Sequence, residues 1–213
     1  TPLAAMLLRL RMMREGKFEG SLQADLERLD ASVAFCQKFV QRLLDFSRCA
    51  QSRKQPEPID RTLEAVVGFL SPQFLAKQVR FTLELDGASQ ARVVADRNQL
   101  EALFLILLSN ALDAVEPGGR VHVRCRRRET RVEVQVADSG CGIAPDILPR
   151  IFEPFFTTKP PGKGTGLGLA IAGNILQEHG GVLRFESAPQ QGTTAVVELP
   201  LAMEAARATG ADS

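Results

Sequence analysis

The stretch from Val121 to Asp138, VHVRCRRRETRVEVQVAD, constrains the fold more than any other part of the chain. Val121, Val123 and Cys125 share one face of a first extended run, and Val132, Val134 and Val136 share one face of a second. The polar RRRET segment between them reads as a turn, so the two runs form a hairpin. VRFTLELD from Val79 to Asp86 alternates in the same way, and strands also fit Val182 to Ser187 and Thr194 to Leu199. Helical spacing instead marks Arg61 to Leu70, the strongly apolar Gln99 to Val115, and Leu167 to Glu178. Strands and helices mixed in this order predict an α+β fold, a two-layer α/β sandwich whose sheet is covered on one face by helices. The hairpin arginines (Arg124, Arg126, Arg127, Arg128 and Arg131) read as a solvated face rather than an anion patch.

The first fifty residues follow a different period. Leu22, Leu26, Leu29, Val33, Cys36, Val40 and Leu43 alternate steps of four and three, and Leu3, Met6 or Leu7, Leu10 and Met13 repeat that spacing in a shorter helix. A helical hairpin over residues 1–50 buries little by itself, so it is expected to pair with a second copy as a dimeric four-helix bundle. The polar segment 51–58, with its two prolines, reads as a linker; residues 59–202 form the α/β domain and 203–213 a frayed tail. A net charge of +1 gives no reason to expect nucleic acid as a partner. No apolar run approaches eighteen residues and no signal pattern opens the chain, so a cytoplasmic location without a membrane segment is expected. Cys36, Cys49, Cys125 and Cys141 lack CxxC spacing or a neighbouring histidine, which points to reduced thiols rather than zinc or disulfides.

Three polar features interrupt these apolar elements. Asn110 and Asp113 follow LFLILLS in a helix, where a buried amide without a partner costs about 1–3 kcal/mol. Asp138 ends a strand and runs into Ser139-Gly140-Cys141-Gly142. KPPGKGTGLGLAIAGNI begins at Lys159, just before a helix. It is not a P-loop, because Thr157 and Gly164 occupy the places that need Gly and Ser or Thr. It is not a dinucleotide turn, because Leu169 occupies the third glycine position.

Taken in order, these blocks resemble the sensor histidine kinases of two-component systems, within the ATP-binding superfamily shared with gyrase. LLSNALDAV resembles the N box, DSGCGI the G1 box, IFEPFFTTK the F box, GKGTGLGLAI the G2 box and GTT (Gly192 to Thr194) the last glycine block. RLLDFSR (Arg42 to Arg48) resembles the end of the second dimerisation helix, and TPL the tail of the H box.

The resemblance implies ATP and Mg²⁺ as cofactors, with Asn110 holding Mg²⁺ through its carbonyl oxygen and Asp138 accepting the adenine amino group. Gly140, Gly142 and Ile143 then lie beside the base, and Gly164, Thr165, Gly166, Leu167, Gly168 and Leu169 beside the phosphates. Asp113, Phe155, Thr158, Lys159, Lys163 and Thr193 complete the implied cofactor-binding set, and residues 146–163 become an ATP lid anchored by Phe152, Phe155 and Phe156. It also implies phosphoryl transfer to a histidine four residues before the Thr of TPL, upstream of Thr1, and then to an aspartate of a response regulator's receiver domain. Thr1 matches a position with a phosphatase role. Two positions depart from the pattern: Ile106 stands where hydrolysing relatives carry Glu and many kinases Asn, and Asp113 where many relatives carry Lys. His122 and His179 do not replace the acceptor. The competing readings are a degenerate nucleotide-binding signalling module and an ATPase like the gyrase relatives.

Overall fold

A computed structural model describes residues 54–86, 91–160 and 164–202. The hairpin over 1–50, Thr1, Lys163 and the tail from 203 lie outside the described residues.

The alternating runs form strands with the expected pleat. The main sheet contains β2 (Arg80–Asp86), β4 (Arg120–Arg127), β5 (Arg131–Asp138), β6 (Val182–Ser187) and β7 (Thr193–Pro200), in the order β2-β4-β5-β7-β6. β2 runs parallel to β4 and every other pairing is antiparallel. Val123 faces Val136 and Cys125 faces Val134, so the two apolar runs point to the same side of the sheet. That side is covered by α1 (Ile59–Ala76), α2 (Arg97–Ala114) and α3 (Gly168–Glu178). The opposite side carries paired charges: Arg124 and Arg126 meet Asp86, Arg128 meets Glu133 and Arg131 meets Glu198.

The spacing of apolar residues also decides how each helix sits. Ile59, Leu63, Val66, Leu70 and Phe74 form the buried stripe of α1. This helix continues six residues beyond Leu70 although Pro72 lies inside it. Pro72 has no N–H for the Gly68 carbonyl, and Ser71 Oγ donates to that carbonyl at 2.9 Å. In α2, Leu100, Leu103, Phe104, Leu107 and Leu108 are all buried. Burying each of these side chains contributes about 1.5–3 kcal/mol. The Asp96 carboxylate caps α2 by accepting from Asn98 N and Gln99 N at 2.9 and 3.2 Å.

Two short strands correct the linker assignment. Gln55–Pro58, read from its prolines as linker, forms β1 and pairs with β3 (Arg92–Ala95). Among the described residues β1 pairs with β3 alone, so its proline nitrogens need no second ladder there. His179 caps the end of α3, with Nδ1 2.7 Å from Ile175 O while Nε2 accepts from Asp96 N at 3.1 Å. These partners make the ring a tie between the end of α3 and the cap of α2.

Candidate functional site

The C-terminal half of α2 organises the predicted residues. Asn110 and Asp113 lie three residues apart on it, and Ala114 follows at its end. The turn after β5 docks on Ala114, whose carbonyl accepts from Cys141 N at 3.3 Å.

Asp138 is the last residue of β5 and is half-buried. Its Oδ1 accepts from Gly140 N at 2.8 Å. Burial raises its carboxyl above the usual carboxylate range, and the N–H groups of Gly140 and Thr193 pull the other way. Thr193 is Asp138's partner in the β5–β7 register. The turn is closed by Ser187: its Oγ accepts from Ile143 N, donates to Gly192 O and lies beside Thr193 Oγ1, each at 2.8 Å. A Cβ at Gly192 would stand 2.0 Å from Asp138 O, and its φ is +78°, so no other residue fits there without moving the strand end. Asp138, Gly140, Gly142, Ile143 and Thr193 therefore form one compact corner. Ser187 belongs to it as well, but it lies in no motif and 44 residues from Ile143, so a single sequence carries no signal for it.

The second group meets one turn back on α2, at Asn110 and Asp113. Lys159 Nζ donates to Asn110 Oδ1 at 3.3 Å and pairs with Asp113 Oδ2 at 2.5 Å. Two oxygens on one helix face thus hold a cationic side chain, and oxygen is the donor type that magnesium takes. Ile106, one turn before Asn110, packs against the start of α3: its Cγ2 lies 3.3 Å from where a Cβ of Gly168 would be. α3 begins at Gly168 with no side-chain cap and no acidic residue in its first turn, which leaves its N-terminal N–H groups and dipole available to an anion. Leu167 is buried and Leu169 packs on the core, so both hold the helix start in place rather than lining the opening. Thr165 Oγ1 accepts from Leu167 N at 3.5 Å.

Between these groups runs the lid segment. Phe152 anchors it, its ring 5.8 Å from that of Phe185. The Arg150 guanidinium lies 4.3 Å from the centre of the Phe156 ring. Phe155 is well exposed and has φ +70°, which a bulky side chain adopts at a cost of about 1–3 kcal/mol. Its N–H donates to Gly166 O at 2.9 Å. Thr158 is exposed in the same segment. A separate concavity between β1, β3 and the starts of α1 and α2, lined by Glu57, Arg61, Arg92 and Arg97 among others, includes none of the predicted residues.

Comparison with known proteins identifies the family. Residues 95–203 match the family of histidine kinase-, DNA gyrase B- and HSP90-like ATPases. The signal transduction histidine-protein kinase AtoS of Escherichia coli is 30% identical over 201 residues, which is 94% of this chain and 33% of AtoS. The chain spans between about a fifth and a third of the length of AtoS and of two further curated sensor kinases it matches. Among solved structures, the catalytic domain of the histidine kinase ThkA superposes with a TM-score of 0.64 at 30% identity, covering 70% of this chain and 95% of that one. ThkA in complex with the response regulator protein TrrA gives a TM-score of 0.73 at 23% identity, covering 95% of this chain and 58% of that one, a likeness of fold alone. The chain belongs to the histidine kinase-, DNA gyrase B- and HSP90-like ATPase family and carries a catalytic domain of the sensor histidine kinase type.

Proposed function

We propose that this chain is the kinase core of a two-component sensor histidine kinase that binds Mg-ATP and passes the γ-phosphoryl group to a histidine, from which an aspartate of a response regulator takes it. The observation that carries the reading is the placement of two unlike sites on one helix. The turn that follows the half-buried Asp138 carboxylate docks on the end of α2, a cation-holding oxygen pair lies one turn back on that helix, and Ile106, a further turn back, packs against the uncapped start of α3.

Asp138 accepts the adenine amino group, where guanine would present an oxygen instead. The N–H groups at Gly166 to Leu169 face the phosphates, with Lys159 adding positive charge. Mg²⁺ would be held by Asn110 Oδ1 and would neutralise charge on the phosphate oxygens. The transfer breaks the bond between the γ-phosphorus and the bridging oxygen, leaves ADP, and forms a P–N bond to the imidazole. His179 is buried with both nitrogens engaged, and His122 stands on the charged side of the sheet against Glu84, so another histidine supplies the acceptor. Dimerisation through the hairpin over 1–50 and a cytoplasmic location belong to the same proposal.

Ile106 favours a second reading, a nucleotide-binding signalling module, because it offers no group to activate water or contact phosphate. A form extended upstream to include the H-box histidine, incubated with γ-labelled ATP and Mg²⁺, is expected to label itself. Nucleotide binding without labelling would favour the module, and steady phosphate release would favour an ATPase.

A further inference from the structure

Lys159 and Asn110 each have a place in nucleotide binding, but their mutual contact gives them a relation that those separate roles do not contain. Lys159 reaches from the lid across to α2, where it donates to Asn110 Oδ1 and pairs more closely with Asp113 Oδ2. Its own N–H donates to Thr157 Oγ1 at 3.1 Å. A Cβ at Gly164 would stand 2.6 Å from Thr157 Oγ1 and 3.1 Å from Lys159 Cβ, so the two limbs of the lid close on one another around this lysine. A hold on Lys159 is therefore a hold on the lid. The oxygen it occupies is the one assigned above to Mg²⁺. An ammonium and a divalent cation repel at contact distance and cannot both stay on it.

We propose that Lys159 is a displaceable latch: Asp113 and Asn110 hold it in the cation's place and so pin the lid to α2, and Mg-nucleotide transfers it to the phosphate oxygens, releasing the lid to close. This rests on the reading of Asn110 as the cation ligand. Asp113, the closer partner, sets the strength of the latch. The positive charge that many relatives carry at position 113 comes here from the lid. The pair is weak enough to open, with the side chains 34% and 51% exposed.

The latch is tested on the chain with Asp113→Asn, Lys159→Gln and both together, by hydrogen exchange of amides 152–166 without nucleotide and by calorimetry with ADP, with Mg²⁺ or with chelator. Each single substitution is expected to speed exchange in the lid about two- to fivefold, with no further gain in the double variant. Asp113→Asn is expected to tighten ADP binding in chelator by a similar factor, only where Lys159 is present. Unchanged or additive exchange would overturn the latch. An equal gain in affinity with and without Lys159 would also overturn it, because Asp113 would then act only by repelling phosphate. The exchange arm needs no nucleotide: if the unaltered chain bound no ADP, the nucleotide reading and the displacement step would fall, while the coupling of lid to α2 would still be measured.

Discussion

The turn after Asp138, and the lid together with the glycine loop that follows it up to Gly168, both lie beside α2, yet they are built in opposite ways. The turn is closed by backbone and hydroxyl bonds to three elements: Ala114 of α2, Ser187 of β6 and the start of β7 at Gly192 and Thr193. Among the described residues, the contacts of the lid with the rest of the domain include the Phe152–Phe185 ring pair and the Lys159 ties to Asn110 and Asp113, whose side chains are partly in water. Contacts of the first kind break only when the sheet does. Those of the second kind open at a cost of about 1 kcal/mol apiece, so under the proposed assignment the base end would be formed before ligand arrives and the phosphate end rearranged by it.

The largest expected effect tests the fixed end. Asp138→Asn replaces a charged acceptor by a neutral amide and should weaken ADP binding roughly ten- to a hundredfold by calorimetry. The fold should survive, because the Asn carbonyl can still accept from Gly140 N and burial already disfavours the charge. Unchanged affinity would remove Asp138 from the base site, and a large fall in melting temperature would make it structural.

Next in size is a pair of alanines that separates the two loops directly. At Gly192 a Cβ meets Asp138 O at 2.0 Å, and at Gly166 it meets Phe155 C at 2.3 Å; both residues have positive φ. Gly192→Ala strains the β5–β7 pairing and is expected to destabilise the whole domain by about 1–3 kcal/mol in denaturant unfolding. Gly166→Ala strains only the lid, which can yield by itself, so global stability should change by less than about 0.5 kcal/mol while lid amides exchange faster. Equal losses of stability would mean that the lid unfolds with the sheet and that the contrast is false.

How much of this was legible in the sequence follows the same division. The hairpin from Val121 to Asp138, strand β2 and helix α2 were readable because a buried face imposes a period on consecutive residues. The strand Gln55–Pro58 was not, because four residues with two prolines show no period and owe their pairing to β3, about 35 residues away. The end of α1 was hidden by Pro72, whose compensation by Ser71 is visible only once the helix is built. Asn110, Asp138 and the glycines could be singled out because they break apolar patterns. The role of Ser187 and the Lys159–Asp113 pairing could not, since both depend on contacts between distant segments that leave no local mark.

A smaller effect follows from the buried carboxyl. Its folded pKa is raised, so the folded protein binds this proton more tightly than the unfolded chain does. The group therefore adds stability as pH falls through its folded pKa and withdraws it as pH rises again. Nucleotide binding has the opposite sign, because protonation removes the charged acceptor. ADP affinity should start to fall at a pH above the usual carboxylate range, without a parallel loss of melting temperature from this group, and Asp138→Asn should flatten the fall.

The smallest effect uses the two cysteines of the domain as reporters. Cys141 is exposed within the turn, between Gly140 and Gly142, whereas Cys125 is buried in β4 with its thiol pushed up to about 12 by loss of solvation and by Asp60. Thiolate is the reactive form, so at neutral pH an alkylating reagent followed by peptide mass spectrometry should modify Cys141 and leave Cys125 intact. If the turn is formed before ligand arrives, bound ADP should slow labelling at Cys141 by covering it, while Lys159→Gln should leave the rate in free protein unchanged. If loosening the lid does change that rate, the two loops are one mobile unit and the base end is not built in advance.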